Sequence, residues 1–238
     1  MIFDDLLNVV GYRSGIPEIL WNRIILTQTK LPWSEVWDEV SARNRVEGYF
    51  VAKVMFHYTP QISRFVERGS IDGVSASYEF RPELFDAFHD FFAEAIWVYI
   101  ERRDIFAQAV SVYIARTTNI WYKSAHGNQN DTSPTPAIGY DGEILKRDVR
   151  KLLTEREQWQ LFFRHYNIAP IRIIYEEAAA GYPHYLRELL DKAGLQMVEA
   201  PGPRRLLKQG GELNEQLAER LRKEVQSCPE RFPHLPTS

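Results

Sequence analysis

Ile96-Trp97-Val98-Tyr99-Ile100-Glu101-Arg102-Arg103-Asp104-Ile105-Phe106-Ala107-Gln108-Ala109-Val110-Ser111 carries the reading of the fold. Residues 96–100 form a short apolar run rich in β-branched and aromatic side chains, which predicts a buried strand. The chemistry then changes at once. Arg102 and Arg103 stand where a parallel strand would end, and Asp104 is placed to cap a helix. Ile105, Ala109, Val112 and Ala115 mark one helical stripe. Ligands of open α/β sheets gather at the carboxyl ends of strands, and anions favour helix N-termini. Two arginines at such an edge therefore suggest a phosphate site, with Ser111 two turns along the helix. The alternative is a solvated arginine pair and a helix-interior serine, and the local pattern leaves both open.

The whole-chain numbers narrow the possibilities. The chain has 238 residues, 45% of them hydrophobic and 26% charged, which is ordinary for a globular protein with a sizeable core. A net charge of -3 implies no general polyanion-binding surface, so nucleic acid is not expected as a partner. The single cysteine, Cys228, cannot form an internal disulfide and fits a reducing compartment. The sequence starts without the basic residues and apolar run of a signal peptide, and no apolar run is long enough to cross a membrane. The expected location is cytoplasmic.

Working outward from residues 96–111, strands alternate with helices. Helices are expected over residues 3–10, 17–29 and 33–45, the last with Val36, Trp37 and Val40 buried. Residues 49–55 read as a strand. Lys53 lies inside that apolar run, where a buried ammonium needs a partner or an anion, unless the strand is an edge with Lys53 in water. A helix from Thr59 to Arg68 comes next, then a phenylalanine-rich helix from Arg81 to Glu94. Residues 124–140 carry almost no core material, and a loop of that length is usually functional. A long helix is expected from Asp141 to Tyr166, then a strand over 171–175 ending in Glu176-Glu177. Helices over 182–193 and 212–225 come after it, and the proline-rich tail reads as an irregular strap. The alternation predicts an α/β layered sheet with strands near 49–55, 95–100 and 171–175.

These marks, taken together, resemble the bacterial trehalose 2-sulfotransferase family. The specific part is Arg102-Arg103-Asp104-x-x-Ala107-Gln108-Ala109-Val110-Ser111. Trp121, Tyr140-Asp141, Trp159, Tyr175-Glu176-Glu177, Lys53-Val54-Met55 with Pro60, and Lys208-Gln209 fall in the family's order. The resemblance spans about Gly15 to Val225. It implies a single sulfotransferase-like domain over residues 1–238: a helix-rich, three-layer α/β sandwich with a mainly parallel central sheet, related to P-loop nucleotide kinases. It implies 3′-phosphoadenosine 5′-phosphosulfate (PAPS) as sulfate donor and a carbohydrate or glycolipid hydroxyl as acceptor, with no metal. It places the donor's 3′-phosphate on Ser111 and on Arg102 or Arg103, Arg103 having the usual separation from the serine. Lys53, Lys208 and Gln209 complete the expected donor contacts.

The sequence also departs from the family's pattern. The family opens with a strand and an Arg-Ser-Gly-Ser-Thr phosphosulfate loop, and this sequence is expected to begin after it. Apolar faces near Val51, Val98 and Ile173 are then expected to be uncovered, which would favour homo-oligomers. In the family's Gly-x-Pro-x-Glu segment, Gly15-Ile16-Pro17-Glu18-Ile19 has isoleucine at the glutamate position. Glu18, one residue early, would point about 100° away on a helix. Glu18 and His57 are the candidate bases, each with a packing or surface role as its alternative. Tyr12-Arg13-Ser14-Gly15 does not make a phosphate loop, because no strand precedes it and Ile16-Pro17 stands directly after it.

Other chemistries find little support. The six histidines show no metal-ligand spacing, and no Gly-x-Ser-x-Gly elbow or dinucleotide fingerprint occurs. The expectation is a PAPS-dependent sulfotransferase. The alternative is a degenerate, non-catalytic binding or assembly protein with the same fold.

Overall fold

Val98–Glu101 and Ile171–Ile174 form the parallel pair around which the helices gather. A computed structural model describes residues 34–38, 45–46, 49–50, 52–70, 73–121, 123–124, 138–196, 202–204, 206–207, 211–232 and 235. The described elements in chain order are β1 (Arg45–Val46), β2 (Tyr49–Phe50), α1 (Thr59–Arg68), α2 (Asp86–Phe91), β3 (Val98–Glu101) and α3 (Ile105–Thr118). They continue with β4 (Lys123–Ser124), α4 (Gly142–His165), β5 (Ile171–Ile174), α5 (Tyr175–Ala180), α6 (His184–Ala193), β6 (Leu206–Leu207) and α7 (Glu212–Gln226).

The β3–β5 register pairs Val98 with Ile171 and Glu101 with Ile174, so both strands end at one edge. Tyr99 turns to one face and joins Phe162 and Phe163 of α4. Val98, Ile171 and Ile173 turn to the other, against Ala178 of α5 and Leu189 of α6. Burial within each strand is partial: Tyr99 and Ile173 are buried, whereas Ile100 and Arg172 are exposed. Ile173 is 8% exposed, so the expected uncovered face is closed at that point by the two helices. Val98 is half-buried, and Val51 lies outside the described residues.

Two further clusters of buried residues hold the helices. In one, Ile105, Ala109 and Val110 of α3 meet Leu145 and Val149 of α4 and Leu217, Leu221 and Val225 of α7. Phe232, in the proline-rich tail, is buried against the same core. The other is aromatic. Phe162 is fully buried, with ring centroids of Trp97 and Trp159 at 5.4 Å and of Tyr166 at 4.9 Å. Phe56, Phe65, Phe85 and Phe88 complete it.

The structure corrects three sequence expectations. The strand over 49–55 shortens to Tyr49–Phe50, paired antiparallel with Arg45–Val46 in a separate two-stranded sheet. Residues 52–55 have no regular structure, and after an extended Met55 the chain enters a 3-10 turn at Phe56–Tyr58, where Phe56 is drawn into the aromatic core at 1% exposure. Lys53 is exposed and lies outside any strand. The helix expected over 33–45 is helical at 34–38 and has become β1 by Arg45. The helix expected over 81–94 divides into a 3-10 turn at Pro82–Leu84 and α2. Phe85 separates them at φ -124°, a non-helical angle that carries its ring into the core. The expected helices over 3–10 and 17–29 lie outside the described residues, as do residues 125–137 of the long loop. One unexpected pairing joins the start of that loop to the basic segment near Arg204: Lys123 faces Leu207 in the β4–β6 ladder.

Candidate functional site

The carboxyl edge of β3 and β5 is built by two strand-to-helix turns that interlock. After β3, Asp104 caps α3 by accepting from the Ala107 amide at 2.9 Å. Its other carboxylate oxygen is 2.9 Å from Nη2 of Arg222 on α7. After β5, Glu176 reaches back across the edge. Its carboxylate accepts from the Arg103 amide at 3.0 Å and the Asp104 amide at 3.4 Å. The Arg103 side chain is exposed and pairs with Glu177.

Arg102 differs from its neighbour. Its guanidinium carbon lies 4.2 Å from the centroid of the Tyr175 ring, and it forms no ion pair among the described residues. Its Nε is buried without a hydrogen-bond partner. A buried donor left unpaired costs about 1–3 kcal/mol, which an anion placed there would recover. The turn below it is fixed by α4: Arg156 Nη2 donates to the Arg102 carbonyl oxygen at 2.6 Å, and Arg156 Nε is 3.4 Å from Glu101 Oε1. Ser111 stands about 10 Å further along α3. It is half-buried, and its hydroxyl has no hydrogen-bond partner among the described residues.

His57 occupies a second polar cluster. Burial of Phe56 against Phe85 and Trp159, at 5.1 and 5.2 Å, pins the 3-10 turn. His57 then faces the polar side of α4, where its Nδ1 hydrogen-bonds to Oε1 of Glu155. The two side chains are 16% and 13% exposed. Tyr78 stacks on the imidazole at 5.1 Å and 21°, and the Ser77 amide donates to the His57 carbonyl at 3.0 Å. Burial, and then the Glu155 carboxylate, push the Tyr78 hydroxyl above its ordinary range, while Arg116 opposes them. Arg116 in turn pairs with the buried Asp148. Among the described residues no group of histidine, cysteine and acidic side chains is gathered to hold a metal ion.

The family model of Stf0 sulphotransferase matches residues 40–224, which takes in both clusters. The chain belongs to the Stf0 sulphotransferase family. A comparison with curated proteins gives no match. Membership supports a sulfotransferase, with a sulfate donor and a small-molecule acceptor, as the general class. No helix among the described residues is long and apolar enough to cross a membrane.

Of the site residues expected from sequence, Arg102, Arg103 and Ser111 lie on the turn after β3 and on the helix it starts. His57 is connected to them through α4, whose consecutive residues Glu155 and Arg156 serve the two clusters. Lys53 is exposed. Glu18, Lys208 and Gln209 lie outside the described residues. Sequence reasoning missed Glu155, Arg156 and Arg222. Residues 154–157, Thr-Glu-Arg-Glu, look like a solvated helix face. The available signal was Asp148, which interrupts the buried stripe of Leu145, Val149 and Leu153 and marks that face as polar yet covered.

Proposed function

We propose that this Stf0 sulphotransferase transfers a sulfuryl group from PAPS to a hydroxyl of a carbohydrate or glycolipid. The carrying observation is the buried, unpartnered Nε of Arg102 above Tyr175, at the carboxyl ends of two parallel strands. Arg102 takes the donor's 3′-phosphate with Ser111, whose hydroxyl supplies a further hydrogen bond. Arg103, already paired with Glu177, adds a weaker and more screened attraction. Lys53, Lys208 and Gln209 enter as donor contacts on the resemblance alone, and Glu18 and His57 as bases. In this reading β3 and β5 belong to the central layer of a three-layer sandwich of the P-loop nucleotide-kinase type. Sulfuryl transfer, like phosphoryl transfer, then rests on positioning and on charge stabilisation of the moving group.

Calorimetry with 3′-phosphoadenosine 5′-phosphate (PAP) tests the donor site. Micromolar binding is expected. Arg102→Ala should weaken it by about 10- to 100-fold, in line with one hydrogen-bonded charge contact. Ser111→Ala and Arg103→Ala should each cost less. No binding to the chain rejects the reading. Binding without transfer of label from PAPS would instead identify a non-catalytic member that keeps a nucleotide site.

A further inference from the structure

We infer that Glu155 is a positioning residue that makes His57 the proton acceptor for the alcohol substrate. The inference rests on the sulfotransferase reading above and deepens it. A carboxylate only accepts hydrogen bonds, so the contact with Glu155 puts the imidazole hydrogen on Nδ1. The lone pair then sits on Nε2, which has no hydrogen-bond partner among the described residues. The ring cannot turn freely: Phe56 is buried beside it, Tyr78 stacks on it, and the Ser77 amide holds its carbonyl.

Tyr58 and Tyr78 lie against the imidazole and Glu155 of α4 bonds it, while Lys151 of α4 stands 5.1 Å over the Tyr78 ring and Arg116 of α3 and Asp148 of α4 act on the Tyr78 hydroxyl. Glu155 is the charge in direct contact, and a fixed carboxylate stabilises the imidazolium as it forms. The next residue, Arg156, binds Glu101 and the Arg102 carbonyl. One turn of α4 thus fixes the proton acceptor and the floor of the anion site relative to each other.

In the step itself, the acceptor oxygen bonds to sulfur while its proton moves to Nε2 of His57. The bond between sulfur and the bridging oxygen breaks, and its electron pair leaves on the 5′-phosphate. His57 then returns the proton to solvent.

Two readouts test the pair, and the first needs no acceptor. Diethyl pyrocarbonate carbethoxylates a neutral imidazole nitrogen with loss of ethanol and carbon dioxide, and peptide mass analysis counts the product at each histidine. Glu155→Gln should slow carbethoxylation of His57 severalfold, because an amide can also donate to Nδ1 and send the hydrogen to Nε2. Glu155→Asp should restore part of the rate. The second readout is PAPS turnover to PAP, with trehalose and with water alone as acceptor probes. kcat should fall about 100-fold in His57→Gln and about 10-fold in Glu155→Gln, with KM for PAPS and PAP affinity unchanged. A wild-type carbethoxylation rate in Glu155→Gln overturns the inference, as does a parallel loss of PAP affinity. Absent PAP binding by the parent chain, with carbethoxylation still dependent on Glu155, rejects the sulfotransferase reading alone.

Discussion

Arg156 donates from Nη2 to the carbonyl oxygen of Arg102 at 2.6 Å, tying the middle of α4 to the turn that leaves β3. The same guanidinium reaches Glu101 through Nε at 3.4 Å. A buried backbone carbonyl at a strand end needs such a donor, and lysine cannot serve both partners with one planar fork. Arg156→Lys should therefore weaken PAP binding severalfold, and Arg156→Met by about 10-fold, close to 1.4 kcal/mol. Neither touches the proposed phosphate contacts. Calorimetry at matched salt checks this, and unchanged affinity in both would remove α4 from the account of the anion edge.

Asp104 does two jobs that substitutions separate. It caps α3 through the Ala107 amide and pairs with Arg222. Asp104→Asn keeps an acceptor for the cap and loses the ion pair. Asp104→Ala loses both, and should cost about 1–2 kcal/mol in urea denaturation, with Asn costing clearly less. Equal losses would mean that the ion pair, not the cap, dominates.

Phe162 lies at the centre of the aromatic core with no exposed surface. Phe162→Ala should cost about 3–5 kcal/mol through lost burial and the cavity left behind. Phe162→Leu should cost less than half of that. Because Trp97 and Trp159 both lie 5.4 Å from this ring, their fluorescence should report the change.

Tyr140 predicts a pH dependence. Burial, then the nearby Glu224 carboxylate, push its hydroxyl from 10.0 up to about 12, against the Arg220 guanidinium. That guanidinium lies 3.7 Å above the ring. The folded chain holds the proton more tightly than the unfolded chain. The contribution is complete below pH 10.0 and is lost as pH rises through about 12. Tyr140→Phe should flatten the fall in denaturation midpoint across that interval, and an unchanged slope would contradict the assignment.

The strand-turn-helix at 96–111 was legible because its signals are local. An apolar run stops at charged residues, and an aspartate caps the helix that begins there. The same holds for β5 and for α1, α4 and α7, whose stripes repeat with the helical period. The features that escaped the sequence depend on distant partners. Nothing near His57 identifies Glu155, 98 residues later, and nothing near Arg102 identifies Arg156, 54 residues later. The strand at 49–55 failed for a related reason. Residues 52–55 do alternate between half-buried and exposed, but a ladder also needs a neighbour, and the pull of Phe56 into the aromatic core ends the run.

The parallel register of β3 and β5 constrains chain length. Glu101 lies opposite Ile174, and Tyr175, Glu176 and Glu177 meet the arginine turn only from that alignment. One residue added or removed in the connection at 166–170, between α4 and β5, would slide β5 by about 3.3 Å and turn each of its side chains to the opposite face. Tyr175 would leave Arg102, and Glu176 would release the amides of the turn. This short connection acts as a ruler for the anion edge. Members of the family that keep the edge should keep its length even where they change its residues.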